Sequence, residues 1–149
     1  MYKVPAIAII LLIVLSNCKK NAPGPDYLAL ICRGAWKINN AQLTGSGMQV
    51  LTDSCIRDNL FGLSPTDGRL PYGNLFQGTI LCDSAEVDIT GFRWNLNRAG
   101  THFQPSIFLF PGNTSFEYYI IKLTEDLLVV TTEMLEGGIN QNVTITYTH

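Results

Sequence analysis

Phe92-Arg93-Trp94-Asn95-Leu96-Asn97 alternates apolar and polar side chains without a break. An extended strand turns successive side chains to opposite faces. This period of two therefore puts Phe92, Trp94 and Leu96 on one face and the polar set on the other. The same pattern closes the chain, where Val143, Ile145 and Tyr147 alternate with Thr144, Thr146 and Thr148. Outward from these two stretches, strands are expected at Trp36–Ala41, Arg57–Leu63, Phe103–Phe110, Phe116–Leu123 and Leu127–Met134. Turn chemistry separates them: Ser64-Pro65-Thr66-Asp67-Gly68, Asn97-Arg98-Ala99-Gly100, Pro111-Gly112-Asn113 and Gly137-Gly138-Ile139-Asn140. Leu70–Leu81 is interrupted by Pro71, Gly73 and Gly78, which predicts an irregular strand or a loop. Helix is confined to a short segment through Cys32 that Asp26 caps and Gly34 stops. About eight short strands with hairpin-length connections and no strand–helix alternation predict an all-β fold, an antiparallel sandwich or barrel. Eight strands in meander order close into an up-and-down barrel that holds a packed core or one small ligand.

The first residues are of another kind. Lys3 precedes an apolar run from Val4 to Leu15, and Ser16-Asn17-Cys18 follows. A charged start, an apolar centre and a small-residue cut site read as an export leader. The run is about 12 residues, short of the ~20 that span a bilayer, and polar Ser16, Asn17, Lys19 and Lys20 close it. A transmembrane anchor or a core helix is the poorer reading. Leu15-Ser16-Asn17-Cys18 resembles the lipobox of bacterial lipoproteins. That resemblance implies cleavage before Cys18 and acylation there. The chain then divides into a leader, 1–17, a linker with two prolines and a glycine, 18–25, and one domain, 26–149. The expected location is the cell envelope, lipid-anchored, at the outer membrane facing the periplasm: Lys19 and Lys20 follow Cys18 where surface-exported lipoproteins carry acidic residues.

Without Lys3, nine basic side chains stand against twelve acidic ones, a formal net charge of −3. The charges are scattered with no basic stripe, so nucleic acid is not an expected partner. Cysteine usage fits an oxidising compartment. With Cys18 assigned to lipid, Cys32, Cys55 and Cys82 remain, an odd number. Cys55 and Cys82 bracket a Gly- and Pro-rich segment and are expected to pair. Closing those 28 residues would contribute roughly 3–4 kcal/mol on the loop-entropy account. No CxxC and no nearby histidine favour zinc, and Cys32 is expected as a buried hydrophobe.

Gly34-Ala35-Trp36 opens the first strand after a short helix. Cys55-Ile56-Arg57-Asp58-Asn59, Phe61, Asp67-Gly68, Cys82, Trp94 and the hairpin Ile121–Val130 follow in order. This series resembles the lipocalin-like lipoproteins of Bacteroidota-type bacteria over residues 28–149. The resemblance implies a lipocalin-like barrel with a G-x-W tryptophan at one end, and by analogy a small-molecule role. Two features depart from true lipocalins. Thr124-Glu125-Asp126 is only a loose echo of their T-D-Y, and the last strand lacks the arginine that covers the tryptophan. Tyr147 and the helix Tyr27–Cys32 are the expected cover for a buried Trp36, with the first and last strands paired.

Catalytic and metal motifs are absent from the sequence. The histidines are His102, beside a turn, and the terminal His149, which make no ligand cluster. There is no G-x-S-x-G elbow, and Gly45-Ser46-Gly47 lacks the rest of a phosphate loop. Asp83, Glu86 and Asp88 match no EF-hand spacing and read as a solvated loop. Asn113-Thr114-Ser115 and Asn142-Val143-Thr144 match glycosylation sequons by chance. No cofactor is called for and an enzyme is not expected. The aromatic set remains. Trp36, Phe61, Phe92, Trp94, Phe108, Phe116, Tyr118 and Tyr147, with Phe110, either pack a filled barrel core or line a cavity for a small apolar ligand. The first reading suits a module whose loops dock an envelope protein. The second suits a lipid-anchored binder of an apolar small molecule.

Overall fold

The computed structural model describes residues 26–50, 53–65, 71–80 and 89–149. Cys18 and Cys82, the leader and linker, Asp67-Gly68 and the Asp83, Glu86 and Asp88 group lie outside the described residues. Eight strands run in meander order: β1 Ala35–Leu43, β2 Leu60–Ser64, β3 Tyr72–Phe76, β4 Ile89–Leu96, β5 His102–Pro105, β6 Tyr118–Leu123, β7 Leu127–Glu136 and β8 Ile139–Thr148. All neighbours pair antiparallel, and β1 pairs with β8, which closes the barrel. Two short helices, α1 Tyr27–Ile31 and α2 Ser54–Arg57, precede β1 and β2.

Alternation sets which side chains fill the barrel. Along β7, Leu128, Val130, Thr132 and Met134 point inward, and Val143, Ile145 and Tyr147 do so on β8. Register places Leu128 opposite Tyr147, Val130 opposite Ile145 and Thr132 opposite Val143, so one apolar sheet face is continuous. Closure leaves no unpaired edge.

Three segments differ from the sequence expectation. Leu70–Leu81 contains a regular strand, β3, because Pro71 precedes it and Gly73 is a space requirement. A Cβ there would lie 2.5 Å from the Phe92 ring. Arg57–Asn59 is not strand but the end of α2 and its exit. The Phe103–Phe110 strand stops at Pro105, and the chain folds over the barrel mouth, burying Leu109 and Phe110.

Two rims follow from the meander. The first rim carries α1, the start of β1, the β4–β5 and β6–β7 turns and the chain's end. The second carries the β1–β2 connection with α2, the segment between β5 and β6, and the β7–β8 turn.

Candidate functional site

Trp36 sits at the first rim and is fully buried. Asp26 caps α1 through its carboxylate, which accepts the Ala29 N–H at 3.1 Å. The helix so fixed delivers the Ile31 carbonyl to the indole, whose Nε1 donates to it at 2.8 Å. The other cover is His149, whose ring lies 4.0 Å from that of Trp36. Its Nδ1 lies 2.9 Å from the Ala35 carbonyl oxygen. Gly34 is tight against the same imidazole, since a Cβ would be 3.0 Å away. The helix was the expected cover; the terminal histidine, not Tyr147, is the ring that lies against the tryptophan, tilted by 30° to it.

Deeper in, rings touch in series. Tyr147 meets Phe61 edge-on with centroids 5.1 Å apart, and Phe61 stacks toward Phe103 at 6.4 Å. Phe103 in turn meets Trp94 at 5.9 Å and Tyr118 at 6.0 Å. Trp94 Nε1 donates to the Tyr72 carbonyl at 2.9 Å, and Phe92 fills the space above Gly73. Six of the eight aromatic candidates, Trp36, Phe61, Phe92, Trp94, Tyr118 and Tyr147, are thus gathered in one core. Phe108 and Phe116 are not in it. Both are 45% exposed, and their rings stack on each other at 4.2 Å outside the barrel. Pro105 ends the strand before Phe108, so period-two reasoning does not carry its face assignment that far.

The polar groups of the interior were not legible as a set. The Tyr118 hydroxyl accepts from the Leu109 N–H at 3.1 Å and from the Asn113 side-chain amide. Burial pushes the Tyr118 phenol far above its ordinary range, against those hydrogen bonds. Burial likewise raises Tyr147, with a smaller contribution from Tyr118. The Tyr147 hydroxyl, Thr132 Oγ1 and Asn113 Oδ1 are buried without a hydrogen-bond partner. Thr132 announces itself only as the polar member of the inward series from Leu128 to Met134.

On the barrel's outside, His102 stacks on Tyr119 with centroids 4.9 Å apart, and its Nε2 lies 3.8 Å from Glu117. The Glu117 carboxylate accepts from Gln104 and Tyr119, and that bond raises the Tyr119 phenol. Cys32 is a free thiol, pushed up to about 11 by burial and then by Asp26. Cys55 is disulfide-bonded. The cysteines left to join it, Cys18 and Cys82, both lie outside the described residues. Among the described residues no group of three His, Cys, Asp or Glu side chains is placed to hold a metal ion, and no helix is long and apolar enough to cross a membrane.

No protein-family model matches the chain, and no curated protein matches it significantly.

Proposed function

We propose that this is a lipid-anchored protein of the bacterial cell envelope in which the barrel is a filled, non-catalytic scaffold and the exposed rims do the binding. The observation that carries this reading is the ring series Tyr147–Phe61–Phe103–Trp94, closed below by Trp36. Among the described residues, the protein's own aromatic side chains fill the part of the interior that a carrier would give to cargo. The lipobox-like Leu15-Ser16-Asn17-Cys18 supports the anchor, and the two basic residues after it support the periplasmic face of the outer membrane. The bond at Cys55 supports its expected pairing with Cys82, since a lipidated Cys18 has no thiol to offer. The lipocalin-like resemblance supports the same class through Gly34-Ala35-Trp36 and the barrel order.

A second reading, a binder of a small apolar molecule inside the barrel, is favoured by one observation. The unpartnered Tyr147 and Thr132 hydroxyls are the kind of groups that orient a ligand in an apolar site. Native mass spectrometry of the acylated protein, released in detergent from its own host, separates the two. The filled-scaffold reading expects the mass of the polypeptide plus its acyl groups. A stoichiometric small adduct that survives would transfer the assignment to the binder. For the anchor, Cys18→Ser should leave the membrane fraction or accumulate as uncleaved precursor. The same fractionation and the same cut as wild type would refute it.

A further inference from the structure

The meander sorts the charged side chains between the two rims. In the half of the barrel at α1 stand Arg33, Lys37, Arg93, Arg98 and Lys122 against Asp26, Glu125 and Asp126. In the opposite half stand Asp53, Asp58, Glu117, Glu133 and Glu136 against Arg57 alone. Among the described residues the first half is therefore net +2 and the second net −4. The domain enters at Asp26, in the basic half, eight residues after Cys18. Those eight residues span at most roughly 28 Å, and they carry Lys19 and Lys20. On an anionic lipid surface the basic half is attracted and the acidic half repelled within a Debye length of about 8 Å. The acidic rim then stands away from the membrane, by about 25 Å for strands the length of β7 tilted as barrel strands are.

That far rim also carries large apolar side chains left in water, as Leu28 and Ile121 are in the other half. Phe108 and Phe116 stack on each other yet stay half exposed. Leu135 and Ile139 flank the β7–β8 turn, more than half exposed, and the Leu135 N–H donates to the Gly112 carbonyl of the Phe108–Phe116 segment. Met48 adds a fifth exposed side chain from the β1–β2 connection. Apolar surface rimmed by one sign of charge marks a protein-interaction site, and its position and charge both argue against lipid as its cover.

We propose that the rim carrying Phe108, Phe116, Leu135 and Ile139 docks a protein segment that presents apolar side chains flanked by lysine or arginine. This rests on the anchored-scaffold reading, which sets the rim's direction. The test uses full-length acylated protein in phosphatidylcholine vesicles and two fluorescent peptides, one alternating Leu and Lys, the other Leu and Glu, with empty vesicles subtracted. The Leu-Lys peptide should bind at least tenfold more tightly than the Leu-Glu peptide, and less tightly as salt rises. Phe116→Ser with Leu135→Ser should weaken it about tenfold, and so, independently, should Glu133→Gln with Glu136→Gln. Lys122→Gln, in the other half, should leave it unchanged. Equal binding of the two peptides, indifference to both double variants, or self-association of the protein through this rim would overturn the proposal. If Cys18→Ser fractionates as wild type while the peptide results hold, the anchor reading fails and the docking surface stands.

Discussion

Removing the Trp36 side chain should cost the domain a large share of its stability. An aromatic side chain of this size buries up to about 250 Å², which at about 25 cal/mol per Å² gives an upper figure of about 6 kcal/mol. Measured truncations of buried aromatics run at about 3–5 kcal/mol, because neighbours relax into part of the gap. Here the Ile31 carbonyl would also lose its 2.8 Å donor, and His149 would lose the ring it packs against. Trp36→Ala is therefore expected to lose about 4 kcal/mol, against a total of about 5–15 kcal/mol for an ordinary domain. Trp36→Phe keeps most of the packing and removes the N–H, so it should lose about 1–3 kcal/mol. His149→Ala strips only one cover and should lose about 1 kcal/mol. The assay is urea unfolding followed by far-UV circular dichroism, with Trp94 fluorescence as a second probe that survives the substitution. Coincident transitions and an unchanged slope license the comparison. A loss below about 1 kcal/mol for Trp36→Ala would refute the argument that this indole seals the rim. Equal losses for the Phe and Ala variants would refute the division between packing and hydrogen bond.

Thr132→Val with Tyr147→Phe removes two buried hydroxyls that have no partner, so urea unfolding should show stability unchanged or raised by up to about 1 kcal/mol; a clear loss would mean that those hydroxyls have a partner in solution. Cys32, ionising at about 11 rather than 9.0, carries about a hundredfold less thiolate at pH 8. Its alkylation by iodoacetamide should be slower than that of urea-unfolded protein by about that factor, and equal rates would contradict the burial. The folded state holds that proton more tightly, so stability should fall as pH rises from about 9 to about 11. Gly100→Ala meets both a φ of +65° and a Cβ position 2.1 Å from the Tyr27 ring, whereas Gly137→Ala meets a φ of +60° and nothing within 4 Å. Thermal unfolding should show the first losing well over the ~1 kcal/mol expected of the second; similar losses would contradict the packing of Tyr27 against that turn.

What was legible in the sequence was legible through periodicity. Phe92-Arg93-Trp94 and Val143–Thr148 give their strands and their inward faces directly, and closure of β1 on β8 follows from the need to bury both edges. Periodicity fails where a strand's end is decided by something other than pattern. Pro105 cannot supply a ladder N–H, so the apolar residues after it fold over the mouth, and Phe108 and Phe116 come out where an extended strand would have turned one of them in. Gly73 looks like a strand breaker because its reason, the Phe92 ring on the next strand, is nineteen residues away. His149 looks like a solvated terminus because what it covers, Trp36, is at the other end of the domain.

The charge separation was hidden for a related reason. In a meander, each turn lies at the opposite rim from the turn before it. Residues that share a rim come from alternate turns, from the start of one strand and the end of the next. Lys37 at the start of β1, Arg98 in the β4–β5 turn and Lys122 near the end of β6 share one half of the barrel. Glu117, Glu133 and Glu136 are interleaved with them along the chain and fall in the other half. Read linearly, this is a scatter with no stripe. Read by turn parity, it is a barrel with a basic end where the chain enters and an acidic, apolar-studded end opposite. On the filled-scaffold reading proposed above, such a protein has its outer surface with which to recognise a partner. The rim that is both apolar and of one charge is where recognition has the most free energy to draw on, because burying Phe116 and Leu135 supplies affinity while the glutamates select the partner.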